Sequence, residues 1–299
     1  LQIAMTKLYP GNLVLSLSSG IMYHRLVDRI TALNDVPREP LVPRRLGKNM
    51  CVPFGKILRG KVVPNTVTKT LHTDKVYEPD LNSFTIEPFP YYSPLKSQIE
   101  TIKSFDRPVI LVDDLVHTAN RLQVLVPQFR EDGIPIKKVV VGVLSGYGRD
   151  LMQCLKVPVE SIYSMPNLRQ WFVESTLYPF IGGDTVRREE MKVAGLQPSI
   201  NMILPYATPR LSGCSREALV EFSACCIENS RDLFQVLEAE YRKMYAKNLT
   251  LSRLSEAVIL PLCPDKGSCM EYDENLAASV YLENDLETLW RMKEFLIKG

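Results

Sequence analysis

The sequence predicts an α/β fold, a mostly parallel sheet flanked by helices, followed by a C-terminal helical region. Three observations predict it. Val109 to Val112 form an apolar run without polar alternation, the pattern of a strand covered on both faces. Asn12 to Leu17, Ser18-Ser19-Gly20 and Ile21 to Leu33 follow the strand, turn, helix order that parallel strands need for their crossovers. Near Pro209 the composition shifts, and Ser215 to Lys247 becomes one long helical pattern with charges between the apolar positions.

The elements follow in chain order. Asn12 to Leu17 is short and apolar and is expected as a strand. Ser18, Ser19 and Gly20 form its turn, and Ile21, Leu26, Ile30 and Leu33 give the next helix an apolar face. Val36 to Pro94 is rich in proline, at 37, 40, 43, 53, 64, 79, 88, 90 and 94, which forbids long helices. It is also basic, with Arg44, Arg45, Lys48, Lys56, Arg59, Lys61, Lys69 and Lys75. Within it, Val62 to Glu78 alternates Thr and Val in the manner of a hairpin, with Lys69, His72 and Lys75 suited to a polyanion.

The run Val109 to Val112 ends in two adjacent carboxylates, Asp113 and Asp114, at the end of a buried strand where open α/β sheets bind ligands. Leu122 to Glu131 is a helix stopped by Asp132-Gly133, and Val139 to Leu144 is the next strand. Ser145 to Asp150 follows, its two glycines permitting a close backbone approach to ligand; a single Gly-x-Gly is no dinucleotide fingerprint. Tyr163 to Asp184 carries Trp171, Phe172, Tyr178 and Phe180, either core or a stacking surface. Leu251 to Val258 and Asp285 to Ile297 are further helices. The expected division is an α/β domain over residues 1–211 and a helical packing or oligomerisation region over 212–299.

Residues 107 to 121, R-P-V-I-L-V-D-D-L-V-H-T-A-N-R, resemble the phosphoribosyl pyrophosphate (PRPP) motif of the type I phosphoribosyltransferases, V-D-D-V-x-T-T-G-x-T. The resemblance implies that Asp113 and Asp114 face the ribose hydroxyls, directly or through Mg²⁺. It implies that His117, Thr118, Ala119, Asn120 and Arg121 wrap the 5′-phosphate at a helix N-terminus, where N–H groups and the helix dipole favour an anion. It also implies that Ser18, Ser19 and Gly20, with Lys69, hold the diphosphate, that Val62 to Glu78 is a hood over the ligand, and that late aromatics stack on an acceptor base. The chain departs from the motif at Ala119, in place of glycine and strained if its φ is positive, and at Arg121, in place of threonine and able to make a bidentate phosphate contact. The function so implied is binding of PRPP or a ribose 5-phosphate nucleotide, with phosphoribosyl transfer if the chemistry is retained. The alternative is a non-catalytic sensing or assembly module.

Other readings of the same residues exist. A bacterial receiver domain also carries an acidic pair, but needs an Asp at the tip of the next strand, where this chain has Ser145 and Gly146. The acids could instead cap the following helix, or serve a metal-dependent hydrolase. Net charge is +2, so no global basic field points to nucleic acid. No apolar run approaches 18 residues, and the start lacks a signal-peptide pattern. Seven cysteines without a C-x-x-C pair and three histidines argue against structural zinc and for reduced thiols in a cytoplasmic protein. The chain begins at Leu1 and is expected to be part of a longer protein or of a homo-oligomer.

Overall fold

The computed structural model describes residues 1–43, 45–188, 197–209, 211, 213–257, 262–266 and 272–298. Arg44 and Val258, named above, lie outside the described residues. In chain order the elements are α1 (Gln2–Leu8), α2 (Ser19–Leu33), β1 (Met50–Pro53), β2 (Val67–Thr68), β3 (Thr73–Tyr77), β4 (Phe84–Pro88) and α3 (Leu95–Lys103). Then come β5 (Val109–Val116), α4 (Asn120–Glu131), β6 (Ile136–Ser145), α5 (Gly146–Cys154), β7 (Val159–Met165), β8 (Asp184–Val186) and β9 (Gln197–Ile200). The long helix α6 (Arg216–Tyr245), β10 (Leu262–Pro264) and α7 (Ala278–Lys298) complete the chain, with 3-10 turns at Glu174–Leu177 and Leu251–Ala257.

Two compact units result. One comprises Leu17–Asp74 and Ile86–Trp171, the other Leu1–Ser16, Lys75–Thr85 and Phe172–Gly299. The first is built on a five-stranded sheet of order β2-β1-β5-β6-β7, with every neighbouring pair parallel. Its central strands are apolar along their length because both faces are covered, as the missing alternation requires. On one face Met22, Leu26, Val27 and Ile30 of α2 pack with Cys51, Ile110, Val112 and Val140. On the other, Ile99, Leu122, Leu125, Phe129 and Met152 from α3, α4 and α5 pack with Val52, Leu111, Val139 and Val141.

Renumbered within this sheet, the strands run 2-1-3-4-5. The chain leaves β1 toward one edge and returns as β5 on β1's other side, so β1 and β5 flank a topological switch point. In open α/β sheets this is the place where ligands bind, beyond the carboxyl ends of the strands.

The other unit holds α1, α6 and α7 around Phe180, Phe222, Phe234, Leu254 and Leu282. Its sheet is mixed: β3 pairs parallel with β8, β8 antiparallel with β9, and β9 parallel with β10. Phe172 to Pro209 belong here, packing Leu177, Phe180, Ile203 and Leu204 into the core of α6 and α7, although they were expected with the parallel sheet. The aromatics Phe172, Tyr178 and Phe180 pack in or against that core. On α6 the buried stripe is Val220, Phe222, Cys226, Ile227, Phe234 and Tyr241, whereas the apolar Val236 and Met244 are exposed. Among the described residues no helix is long and apolar enough to cross a membrane.

Candidate functional site at the sheet switch point

Asp113 and Asp114 are the fifth and sixth residues of β5 and lie toward its carboxyl end. Strand alternation sends neighbouring side chains to opposite faces, and both carboxylates find partners near the crevice. Asp113 is buried, and its Oδ1 accepts the Asp114 N–H at 2.8 Å. Arg121 Nη1, from the first turn of α4, stands 3.7 Å from the same oxygen. Burial pushes the Asp113 carboxyl up to about 7; the Arg121 guanidinium pulls it back and the Asp114 charge adds to the rise.

Asp114 reaches across the switch point. Its Oδ2 accepts the Lys56 N–H at 2.6 Å and its Oδ1 accepts the Ile57 N–H at 3.0 Å. These donors lie in the loop that leaves β1, which is anchored by Phe54 N–H donating to Val112 O at 2.9 Å. The loop comes this close because residue 55 is glycine: a Cβ there would sit 2.6 Å from Asp114 Oδ1 and 2.7 Å from Asp113 Oδ1. Gly55 is therefore a packing requirement of the acid pair.

Cations gather at the same place. Arg59, on the β1 loop, donates from Nη2 to Thr73 O at 3.2 Å and lies over the Phe89 ring. Its Nε is buried without a hydrogen-bond partner. Burial, then the neighbouring Arg121 charge, lowers the Arg59 pKa, while Asp74 and Asp114 oppose that shift. His72 stacks on Tyr92 at 3.7 Å between centroids, and burial, Arg59 and Lys69 hold its pKa below the ordinary value. Lys69 itself is tied by its backbone N–H to Cys51 O at 3.0 Å.

The turn after β5 runs through His117 and Thr118 to Ala119, which is buried with φ +52° and ψ +20° and precedes α4. The left-handed conformation in which alanine would be strained is thus the one adopted. No side chain caps α4. Thr118 Oγ1 accepts from Asn120 Nδ2 at 2.8 Å, and Gln123 Nε2 donates to Thr118 O at 3.1 Å. His117 Nδ1 is 2.8 Å from Ser145 Oγ, which also accepts the Gly148 N–H at 2.9 Å and so caps α5. Ser145 to Asp150, expected as a ligand loop, is therefore the start of a helix. Its glycines serve protein contacts: a Cβ on Gly148 would strike Val116 O and one on Gly146 would meet Pro166 O.

Ser18, Ser19 and Gly20 are exposed at the N-terminus of α2, where Ser18 Oγ accepts the Ile21 N–H. The expected strand before them is absent: residues 13–18 join no sheet, and Leu13 and Leu15 are exposed. The loop across from the acids comes from β1 instead. Sequence reading passed over β1 inside the proline-rich stretch, although the run Met50-Cys51-Val52 before Phe54-Gly55 is a short apolar strand signal. The expected hood segment divides into β2, the edge of the parallel sheet, and β3.

A Mg²⁺ ion held by the protein does not fit this donor set. Mg²⁺ demands near-octahedral oxygen ligands. Here both Asp114 oxygens already accept backbone N–H groups, Asp113 faces a guanidinium, and a second guanidinium lies nearby. Among the described residues no three His, Cys, Asp or Glu side chains cluster to hold a metal.

No known family's sequence profile matches the chain, and no curated protein matches it. Solved structures do. A purine phosphoribosyltransferase from Pyrococcus horikoshii Ot3 is 11% identical with a TM-score of 0.29, covering 52% of this chain and 94% of its own. A hypoxanthine phosphoribosyltransferase from Trypanosoma cruzi, complexed with the product IMP, is 17% identical with a TM-score of 0.30, covering 53% and 80%. An adenine phosphoribosyltransferase from Thermoanaerobacter pseudethanolicus ATCC 33223 is 10% identical with a TM-score of 0.28, covering 48% and 80%. Likenesses of this size leave the chemistry to be judged from the residues themselves.

Proposed function

We propose that the crevice between β1 and β5 binds PRPP or a ribose 5-phosphate nucleotide and, given an acceptor, transfers the phosphoribosyl group. One observation carries this reading: an acid pair near the carboxyl end of β5 meets the β1 loop at the switch point of a parallel sheet, with the N-terminus of α4 one short turn away. Asp113 would accept from one ribose hydroxyl, and Asp114 from the other through the second lone pair that each of its oxygens keeps beside its backbone bond. Asp113, with a carboxyl near neutrality, can also donate. The N–H groups at the start of α4, which no side chain caps, would take the 5′-phosphate, with Thr118 and Arg121 beside them.

In transfer, a nucleophile attacks ribose C1 and the diphosphate leaves with the bonding electron pair. Positive charge then develops on the ribosyl group beside two carboxylates, and negative charge on the leaving group on the side of the Arg59 guanidinium. A second reading, a sensing module that binds without turnover, is favoured by the Arg121 pairing with Asp113 and by the strained Ala119 in the phosphate turn.

Calorimetric titration with PRPP, followed by pyrophosphate-release assays with nucleobases and amines as acceptors, tests both readings. Saturable binding that disappears in the Asp113→Asn, Asp114→Asn double variant is expected. Release of pyrophosphate selects transfer, and binding without release selects sensing. Absence of binding at millimolar PRPP refutes the site.

A further inference from the structure

From the donors and cations at the switch point we infer that Arg121 and Arg59 stand in for a divalent cation, so that the phosphorylated ligand binds without metal. This rests on the binding proposed above and concerns what compensates charge there. Two carboxylates facing a polyanion need positive charge between them, because like charges in a partly dry crevice repel strongly. A site supplied with a metal meets that need from solution. This chain carries the charge on its own backbone scaffold.

Three observations support the substitution. Arg121 Nη1 lies 3.7 Å from Asp113 Oδ1, with the Arg121 side chain three-quarters buried, so a cation is already in place at the acid pair. Arg59 lies near enough to Asp114 and to Arg121 for each to shift its ionisation, and its buried Nε lacks a partner. Two guanidiniums held together in a part-buried site repel each other, and an anion bridging them relieves both the repulsion and the unpaired donor. Finally, Asp114 spends both oxygens on Lys56 and Ile57 N–H groups, which locks the β1 loop rather than leaving the carboxylate to a metal. Arginine suits this role because its fork stays charged at every working pH and can bond two phosphoryl oxygens at once.

The test is PRPP titration of the intact chain in EDTA and again in excess Mg²⁺, for the native protein and for Arg121→Thr, Arg121→Lys and Arg59→Gln. Native affinity is expected to change less than about twofold between the two conditions. Arg121→Thr is expected to bind at least about tenfold more weakly in EDTA, the loss of one charge-assisted contact, and to recover in Mg²⁺. Arg121→Lys, which keeps the charge, is expected to lose less. Arg59→Gln should weaken binding in EDTA in the same direction. Circular dichroism of each variant separates loss of contact from loss of fold.

Native binding that requires Mg²⁺ overturns the inference and leaves the proposed function standing. Binding that is metal-independent yet indifferent to both arginine variants also overturns it. No PRPP binding in either condition refutes the proposed function and this inference with it. As an independent readout, electron paramagnetic resonance with Mn²⁺ should show the free-ion signal undiminished by the protein alone; a signal titrated away by one equivalent would overturn the assignment.

Discussion

Asp113→Asn should make the metal-free protein more stable, and increasingly so as pH rises. The native carboxyl titrates near 7 in the folded chain against 3.8 as its ordinary value, because burial penalises its charge more than Arg121 repays it. A group whose folded pKa is raised binds its proton more tightly folded than unfolded, so its contribution is favourable at low pH and is lost as pH climbs from about 4 to 7. Worked through, the ionised side chain costs about 2 kcal/mol by pH 5 and about 4 kcal/mol by pH 8. Asparagine keeps an oxygen to accept the Asp114 N–H and carries no charge to bury. Removing Arg121's partner carries a cost that is the same at both pH values, so it offsets part of the gain without changing its growth with pH. Urea midpoints of both proteins, in chelator at pH 5 and pH 8, should show the variant's advantage growing by roughly 2–3 kcal/mol. An advantage that is flat or shrinks over that range would mean that Asp113 is ionised throughout, and would refute burial as the dominant influence on it. With Asp113 facing ligand as proposed, such a cost is the conflict between stability and function that a binding site imposes.

Two further changes probe the local geometry. Ala119→Gly removes a side chain from a left-handed residue and should raise stability by about 1 kcal/mol or less, measured by thermal melting; a decrease would show that the buried methyl packs more than it strains. Gly55→Ala drives a Cβ into both acids and the Asp114 N–H and should cost roughly 1–3 kcal/mol, with weakened PRPP binding because the Lys56 and Ile57 donors move; an unperturbed denaturation midpoint would contradict the packing described.

Local signals were sufficient for much of this protein. The unalternating run Val109 to Val112 announced a strand buried on both sides, and α2 covers one side of that strand while α3, α4 and α5 cover the other. The helix over Ser215 to Lys247 was legible from its period, and appears as Arg216–Tyr245. The acid pair at the end of a strand and the turn through Arg121 into a helix were legible because they form one contiguous segment of chain.

What the sequence could not determine was which loop faces that segment. Strand order is a property of pairing between residues far apart, such as Met50 with Val109, and no local pattern encodes it. Only with β1 beside β5 do Gly55, Lys56, Ile57 and Arg59 become partners of Asp113 and Asp114, while Ser18 to Gly20 become an ordinary helix start. The same holds for Gly146 and Gly148, whose need for close approach was visible but whose neighbour, the carbonyl of Val116 or of Pro166, was not. The described residues between Phe172 and Pro209 show the limit most plainly. The composition around Phe172, Tyr178 and Phe180 required burial, but burial of Leu177, Phe180, Ile203 and Leu204 against α6 rather than against the parallel sheet was decided by tertiary packing, because the hydrophobic effect sets how much surface is buried and has no preference for which surface covers it.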